Sequence, residues 1–172
     1  RPVRIKTRIT VEHDEIEFDF AGTEPLVRGP VNTTRFIAAA SCYYSVKVLI
    51  ANEAAVNEGF FRPIRVKVPP SCLLDAQGRQ APVVGGNHET SQRVVDAIFK
   101  ALGPALPERV VAGGPTTSGL LLFSGQRENG EVFTLYEVHG GGEGASLSRD
   151  GTSGVRVHMS NVMNTPIEAL EM

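Results

Sequence analysis

Two stretches near the start of the chain alternate between hydrophobic and polar residues, with a turn-forming stretch between them. Val3 to Val11 and Glu15 to Phe20 follow the two-residue period of strands, and "EHDE" predicts the turn of a hairpin. Further on, "FRPIRVKVPP" predicts a strand that is ended by prolines. The stretch "SGLLLFSGQRENGEVFTLYEV" predicts a second hairpin, with Asn129-Gly130 as its turn.

Helical periodicity occurs twice in the chain. The first predicted helix covers about residues 33–51, with Asn32 as its capping residue, and apolar residues occupy most of its circumference. We therefore expect this helix to be buried on most sides. The second covers about residues 89–102, ends at Gly103-Pro104, and has an apolar stripe formed by Val94, Val95, Ile98, Phe99 and Leu102.

These elements predict an α+β fold, with a mixed or antiparallel sheet, β-hairpins and the two main helices. After a glycine-rich loop, "VRVHM" predicts a short strand, and a new helix start follows at Pro166. The chain opens on a strand without a lead-in and closes where this helix begins. We therefore expect residues 1–172 to be a single segment of a larger subunit, with sequence missing on both sides.

Composition and charge narrow the class of protein. The chain has 172 residues, of which 41% are hydrophobic and 21% charged, as in soluble globular proteins. Its net charge of -2 gives no electrostatic reason to expect a nucleic acid or membrane partner. Cys42 and Cys72 show no metal-ligand spacing and no disulfide framework, and no apolar run has membrane length. These features predict a cytoplasmic protein with reduced thiols.

Polar residues gather where the second predicted helix begins, in "VVGGNHETSQR". The helical period puts Ser91 on the same, apolar side as Val95. It puts Arg93 on the opposite, polar side. A hydroxyl beside the free N–H groups of a helix start could bind an anionic or carbonyl oxygen. The alternative is structural: Asn87 caps the helix, Thr90 closes the cap, and Ser91 bonds back to the backbone.

Two further stretches carry polar or glycine-rich chemistry. His158 and Asn161 lie in "VHMSNVMN", where a strand histidine is either a hydrogen-bonded structural residue or a ligand. The loop "HGGGEGAS" lacks the lysine and hydroxyl residue of a phosphate loop and does not open a helix. It indicates a tight chain reversal, or a close backbone approach to a partner or substrate.

Four stretches together carry a family resemblance. "DFAGTEP…GPVNTT", "VNEGFFRPIRVKVPP", "VVGGNHETSQRVVDAI" and "GGGEGAS…DGTSGVRVHMSNVMNTPIEALE" occur in this order over nearly the whole chain. In combination they closely resemble the hydantoinase B family, the subunit type also found in 5-oxoprolinase. More distantly, they resemble the acetone and acetophenone carboxylases. The resemblance implies that this chain is an internal segment of such a subunit.

The resemblance implies an ATP-dependent hydrolysis that opens a cyclic amide: N-methylhydantoin, hydantoin or 5-oxoproline. The tail "HMSNVMNTPIEALE" favours a hydantoin-like ring. The implied partner is a hydantoinase A-type subunit or domain that binds ATP with Mg, in a hetero-oligomer. Two alternatives stay open: a segment of an ATP-dependent ketone carboxylase, or an assembly segment that buries the first helix against a partner and has no catalytic residues.

The family's metal-binding histidines and aspartates lie before this segment, and no residue of 1–172 matches them. Any divalent metal is therefore expected outside the chain, and the fragment alone is expected to be inactive. No catalytic residue is assigned. The residues expected to bind the substrate or its phosphorylated intermediate through hydrogen bonds are Asn87, Thr90, Ser91, Arg93, His158 and Asn161.

Overall fold

The computed structural model describes residues 2–78, 81–117, 119–155 and 158–159. Three strands form one mixed sheet, and two others form a separate antiparallel pair. The predicted α+β fold with hairpins and two main helices is confirmed. In the described ranges, no helix is long and apolar enough to cross a membrane. The elements are β1 (Arg8–Glu12), β2 (Glu15–Asp19), α1 (Arg35–Leu49), α2 (Glu58–Phe61), β3 (Ile64–Lys67), α3 (Thr90–Leu102), β4 (Gly119–Gln126) and β5 (Val132–His139).

The centre of the fold is a β–α–β unit. β2 and β3 are parallel neighbours, with Ile16 opposite Ile64 and Asp19 opposite Lys67. Parallel strands need a long connection because a tight turn reverses the chain, and here that connection carries α1 and α2. β1 joins β2 through the predicted hairpin, whose turn places His13 in the left-handed region at φ 54°.

One face of the three-stranded sheet is apolar and the other is charged. Ile16 and Phe18 of β2 are buried in the core, while the residues between them face away from it. On the charged face, Lys67 Nζ lies 2.8 Å from Glu17 Oε2. This alternation is typical of a sheet that is covered on one side.

Helices α1 and α3 pack against each other through small residues of α1. Ala38, Ser41 and Ser45 are fully buried, and the Ser41 hydroxyl donates to the Ile37 carbonyl at 2.9 Å. The same hydroxyl also reaches the Ser91 carbonyl of α3, at 3.4 Å. The predicted apolar stripe of α3 is confirmed, because each of its five residues is buried: Val94, Val95, Ile98, Phe99 and Leu102.

The predicted cap of the first helix is wrong. The helix begins at Arg35, not at residue 33, and ends at Leu49 rather than 51; its N-cap is Thr34, without a side-chain capping bond. Asn32 is fully buried, and its amide is used elsewhere. Oδ1 accepts from the Val27 N–H at 2.8 Å, and Nδ2 donates to the carbonyls of Val27 (2.8 Å), Gly29 (3.0 Å) and Pro82 (3.0 Å).

Two other predictions about elements can be compared with the structure. The exposed residues of α1 are Arg35, Phe36 (77% exposed) and Val48, and its other residues are buried or half-buried, as expected for a helix buried on most sides. The strand predicted for "VRVHM" is wrong at His158 and Met159, whose φ values of 57° and 45° are not those of a strand. Residues 156–157 of that stretch and the helix start at Pro166 lie outside the described residues.

β1 is also shorter than the predicted Val3 to Val11. The preceding residues bond to a loop and not to a strand. The backbone N–H of Lys6 donates to the Thr23 hydroxyl at 3.1 Å, and the Glu24 N–H donates to the Arg4 carbonyl at 3.0 Å.

The segment 30–33 is enclosed by two other segments of the chain. On one side the Thr33 N–H donates to the Leu73 carbonyl at 2.8 Å, and on the other the Gly85 N–H donates to the Pro30 carbonyl at 2.6 Å. Gly86 lies so close that an added Cβ would be 2.3 Å from the Asn32 carbonyl oxygen. This distance requires glycine, because the obstacle is backbone that cannot rotate away.

Replacing Gly86 by alanine is expected to destabilise the fold by about 1–3 kcal/mol, the usual cost of overpacking. Gly29→Ala is the matched control in the same region, since an added Cβ there meets nothing within 4 Å. The measurement is the free energy of unfolding from urea titration. Equal losses in both variants would contradict the close approach.

Asp75 contacts the start of α1 through Arg35, the first residue of the helix. Its side chain is 1% exposed, and its Oδ1 accepts from Arg35 Nε at 2.8 Å. The Ser71 N–H and the Gln77 amide also donate to the carboxylate. The hydrogen bond from Arg35 holds the pKa of Asp75 below its usual value, against the opposing effect of burial.

Because the folded-state pKa is lowered, the Asp75 carboxylate stabilises the fold at pH values above its unfolded pKa of about 3.9. That contribution disappears as the pH falls through the folded pKa. We expect Asp75→Asn to lower Tm most at pH 5 and above, and the gap to wild type to narrow below about pH 4. Asp150→Asn, at an exposed position, is the control. A gap that is independent of pH would contradict the ion pair.

Candidate functional site

The start of α3 brings several polar side chains into the core. Thr90 and Ser91 are buried; the Thr90 hydroxyl donates to the Val31 carbonyl, and the Ser91 hydroxyl donates to the Asn87 carbonyl at 2.8 Å. The Gln92 amide likewise donates to the His88 carbonyl at 2.9 Å. The predicted return of Ser91 to the backbone is therefore confirmed.

The predicted cap at this helix start is wrong. The N-cap residue is Glu89, without a side-chain capping bond, and a short 3₁₀ turn at Val84–Gly86 lies three residues ahead of the helix. The His88 and Glu89 N–H groups donate to the Gly85 carbonyl, at 3.2 and 2.8 Å. Because this turn supplies acceptors ahead of the helix, Asn87 is not needed as a cap.

Beside these residues lies a cleft of about 310 Å³, which we name the α3 cleft. Its polar residues are Glu89, Thr90 and Arg93. Glu89 and Arg93 are four positions apart, so their side chains lie one turn apart on the same face. The remaining lining is apolar and comes from Val3, Ile5, Val31 and Leu73.

Glu89 and Arg93 give the α3 cleft one acceptor and one donor. Glu89 is oriented in part by the Thr117 hydroxyl, which donates to its Oε1 at 2.5 Å. A carboxylate accepts about four hydrogen bonds and can therefore take part in several contacts at once. Arg93 is exposed, and the described part of the chain shows no hydrogen bond or ion pair for its guanidinium.

His158 lies elsewhere, packed on a later part of α3. It is 5% exposed, and its Nε2 lies 3.1 Å from Asp96 Oδ1. Its ring packs edge-on against Phe99 and Tyr44, with centroid distances of 4.8 and 5.9 Å. Burial raises the pKa of the Tyr44 hydroxyl, which also has a hydrogen bond to the His158 backbone. These contacts are those of a packed residue within the core.

The structure thus separates the predicted site residues. Thr90 and Arg93 line the α3 cleft, Ser91 lies behind it with its hydroxyl turned to Asn87, and the Asn87 side chain is exposed. His158 does not line this cleft, and Asn161 lies outside the described residues. Sequence reasoning missed Glu89, although its four-residue spacing from Arg93 would have indicated a shared face.

The glycine-rich loop packs against the chain itself. An added Cβ on Gly144 would lie 1.7 Å from the Ala112 carbonyl oxygen, and one on Gly151 would lie 1.8 Å from the Glu143 carbonyl oxygen. The Ala112 N–H donates to the Ala145 carbonyl at 2.8 Å. These glycines therefore allow close backbone contact. The contact is within the chain itself, whereas the alternative raised for this loop was an approach to a partner or substrate.

The described residues do not fit an ATP–Mg site or a divalent metal centre. Gly144 and Gly151 are occupied by backbone contacts, so these two glycines offer no cradle for phosphate. Across the described ranges, no group of three or more His, Cys, Asp or Glu side chains could hold a metal ion.

The comparison with protein families decides the identity of the chain. Residues 1–172 match the family described as Hydantoinase B/oxoprolinase. The chain belongs to this family. It is 38% identical over 171 residues to an uncharacterised protein of Schizosaccharomyces pombe, covering 99% of this chain and 13% of that protein. It is 32% identical over 169 residues to 5-oxoprolinase 1 of Arabidopsis thaliana, covering 98% and 12%.

Two solved structures share the fold of this hydantoinase B segment. The nucleotide-free structure of an acetone carboxylase matches with a TM-score of 0.74 and 18% identity, covering 88% of this chain and 21% of that chain. The ATP-dependent caprolactamase from Pseudomonas jessenii matches with a TM-score of 0.73 and 23% identity, covering 88% and 27%. The segment thus spans between about an eighth and a quarter of these proteins.

Proposed function

We propose that this hydantoinase B segment supplies a substrate-binding cleft to an ATP-dependent enzyme that hydrolyses cyclic amides. The observation that carries the proposal is the α3 cleft, in which one donor and one acceptor lie a helical turn apart beside apolar walls. A cyclic amide presents its carbonyl oxygen and its N–H on adjacent ring atoms. Arg93 would donate to the carbonyl, and Glu89 would accept from the N–H.

The apolar lining suits the rest of such a ring. Val3, Ile5 and Leu73 would cover ring carbons, as in ligand sites where a few polar groups orient a mostly apolar ligand. Of the residues expected from the sequence, Thr90 and Arg93 stay in the proposed site. Ser91, Asn87 and His158 would act through the packing around it.

The chemistry of this chain's own residues is electrostatic. A guanidinium beside the amide oxygen stabilises negative charge that develops there, which lowers the barrier to reaction at the carbonyl. ATP, held with Mg by a hydantoinase A-type subunit or domain in a cytoplasmic hetero-oligomer, would supply the phosphoryl group that activates this oxygen. Related proteins named for cyclic amides, 5-oxoprolinase 1 and caprolactamase, support this class of substrate. The tail sequence favours a hydantoin-like ring.

A second candidate is an ATP-dependent ketone carboxylase, favoured by the fold shared with acetone carboxylase. The α3 cleft fits this reaction less well, because a ketone has no N–H to donate to Glu89. Bicarbonate-dependent ATP hydrolysis in the presence of acetone or acetophenone would identify this branch.

The test of the proposed reaction is ADP release by the intact enzyme with its ATP-binding partner. N-methylhydantoin, hydantoin, 5-oxoproline and acetone are offered in turn, and one cyclic amide is expected to stimulate ADP release. Arg93→Gln should then raise KM for that ring about tenfold, since it removes a hydrogen bond from a charged donor. Lys100→Gln, at another exposed cation of α3, should leave KM unchanged.

The outcomes separate the site from the reaction. If no cyclic amide stimulates ADP release by a confirmed complex, the proposed reaction is wrong. If a ring stimulates release and Arg93→Gln behaves like Lys100→Gln, the reaction stands and the assignment of the α3 cleft fails.

The third candidate, an assembly role, is favoured by the hairpin of β4 and β5. Its strands pair with each other, and apolar side chains are exposed on both faces. Leu122 and Val132 on one face are 66% and 73% exposed, while Phe123 and Leu135 on the other are 54% and 50% exposed. A lone two-stranded hairpin is marginally stable in water, so we propose that the remaining sequence of the larger family protein covers it.

The same substitution should therefore act differently in two contexts. Leu122→Asp is expected to destabilise the intact polypeptide by about 1–3 kcal/mol, because it would bury an unpaired charge. In the 172-residue chain alone it should change Tm little and reduce self-association. Glu128→Lys in the hairpin turn is the control. A neutral effect of Leu122→Asp in the intact protein would show that the hairpin is solvated there.

A further inference from the structure

We infer that a second cleft, between the start of α1 and the ends of β2 and β3, binds an amino acid as a zwitterion. The inference rests on the proposed function in one respect: opening a lactam such as 5-oxoproline leaves an amino group and a carboxylate in one molecule, whereas opening a hydantoin leaves a carboxylate and a neutral ureido group. It concerns different residues from those of the α3 cleft and can be tested without ATP.

The cleft has a volume of about 610 Å³, and we name it the α1 cleft. Its polar lining comes from three elements of the β–α–β unit: Asp19 is the last residue of β2, Lys67 is the last residue of β3, and Arg35 is the first residue of α1. In sheets with parallel strands, ligands commonly bind beyond the carboxyl ends of the strands. The α1 cleft occupies that position.

Arg35 provides a cationic group in the lining of the α1 cleft. Its Nε donates to the buried carboxylate of Asp75, which orients the guanidinium. The two terminal nitrogens have no hydrogen-bond partner among the described residues, and half of the side chain is exposed. An oriented guanidinium with two free nitrogens matches the geometry of a carboxylate, which it binds through two parallel hydrogen bonds.

Asp19 provides an anionic group in the same lining. Its Oδ1 accepts from the Ala21 N–H at 2.9 Å, which orients the carboxylate. Lys67 lies opposite Asp19 in the sheet register, yet its ammonium pairs with Glu17 Oε2 at 2.8 Å. No ion pair of Asp19 occurs in the described ranges, so its charge is available to an ammonium group.

The two charges together select the class of ligand. A simple carboxylate would pair with Arg35 and be repelled by Asp19, while a simple amine would pair with Asp19 and be repelled by Arg35. A molecule that carries both groups satisfies both side chains. Its carbon chain would lie along Phe36, Ala39, Tyr43, Val66 and Pro69, which form the apolar part of the lining.

The exposed ring of Phe36 supports the same interpretation. This side chain is 77% exposed and adjoins Arg35 at the mouth of the cleft. Tyr43 is held in place by the ring of Phe61, at a centroid distance of 4.8 Å. A ligand with several methylene groups would remove part of this apolar surface from water.

The experiment is isothermal titration calorimetry on the intact polypeptide in the absence of ATP. The probes are glutamate and 6-aminohexanoate, which place their amino group at different distances from a carboxylate. Hexanoate and hexylamine each lack one of the two charges. At least one amino acid is expected to bind, and both single-charge compounds should bind at least about tenfold more weakly.

Substitutions then locate the binding site. Arg35→Gln and Asp19→Asn should each weaken binding of the amino acid about tenfold or more, and Arg127→Gln, remote on the hairpin, should not. Arg35→Gln leaves Asp75 without its cation and could unfold the chain. Phe36→Ala changes an exposed residue, so the fold should not depend on it. It should also weaken binding of the amino acid, which keeps the test decisive.

The inference is overturned if neither amino acid binds, if hexanoate or hexylamine binds equally well, or if Asp19→Asn and Phe36→Ala leave the affinity unchanged. Amino acid binding without any ring-stimulated ADP release would support the α1 cleft and refute the proposed reaction. Ring-stimulated ADP release without amino acid binding would refute the α1 cleft alone.

Discussion

The close backbone contact around segment 30–33 positions both clefts. The Asn32 amide bonds to backbone groups on both sides of the segment, and the Thr90 hydroxyl bonds to the Val31 carbonyl. Gly86 permits this approach because a side chain there would collide with the Asn32 carbonyl oxygen. α1 begins at Arg35, shortly after this segment, and α3 begins at Thr90, one turn after Gly86, which packs on that segment. The start of each helix, and with it each cleft, is therefore held by one contact between segments some fifty residues apart in the chain.

That long-range contact also explains which predictions from the sequence succeeded. The hairpin at Asn129-Gly130 and the apolar stripe of α3 depend on neighbouring residues, so local pattern was enough to find them. An asparagine before a helix has the same local pattern whether its side chain caps the helix or bonds to a distant loop. For Asn32 the second holds, because its amide donates to the Pro82 carbonyl. Thr90 and Arg93, which line the α3 cleft, could be singled out from their clustering in the sequence. Asp19, Arg35 and Asp75 could not, because the fold brings them together from three distant stretches.

The shared fold does not by itself select a reaction. Structures of an acetone carboxylase and a caprolactamase match this segment about equally well, although one is named for a ketone and the other for a cyclic amide. A backbone that serves both substrates leaves the choice to side chains in the clefts. In the proposed α3 site, Glu89 would make this choice: an acceptor beside Arg93 is useful to an amide, which has an N–H, and is of no use to a ketone.

The two clefts differ in a way that follows from the proposed reaction. An amide group is neutral, and an apolar cleft with one donor and one acceptor can hold it at little cost in solvation. Opening a lactam creates an ammonium and a new carboxylate, and keeping these charges beside apolar walls is unfavourable unless each finds a partner. The α1 cleft offers such partners in Arg35 and Asp19, both supplied by the β–α–β unit and both oriented by neighbouring groups. Hydrolysis would thus weaken the fit of the ligand to one cleft while creating the charges that the other recognises.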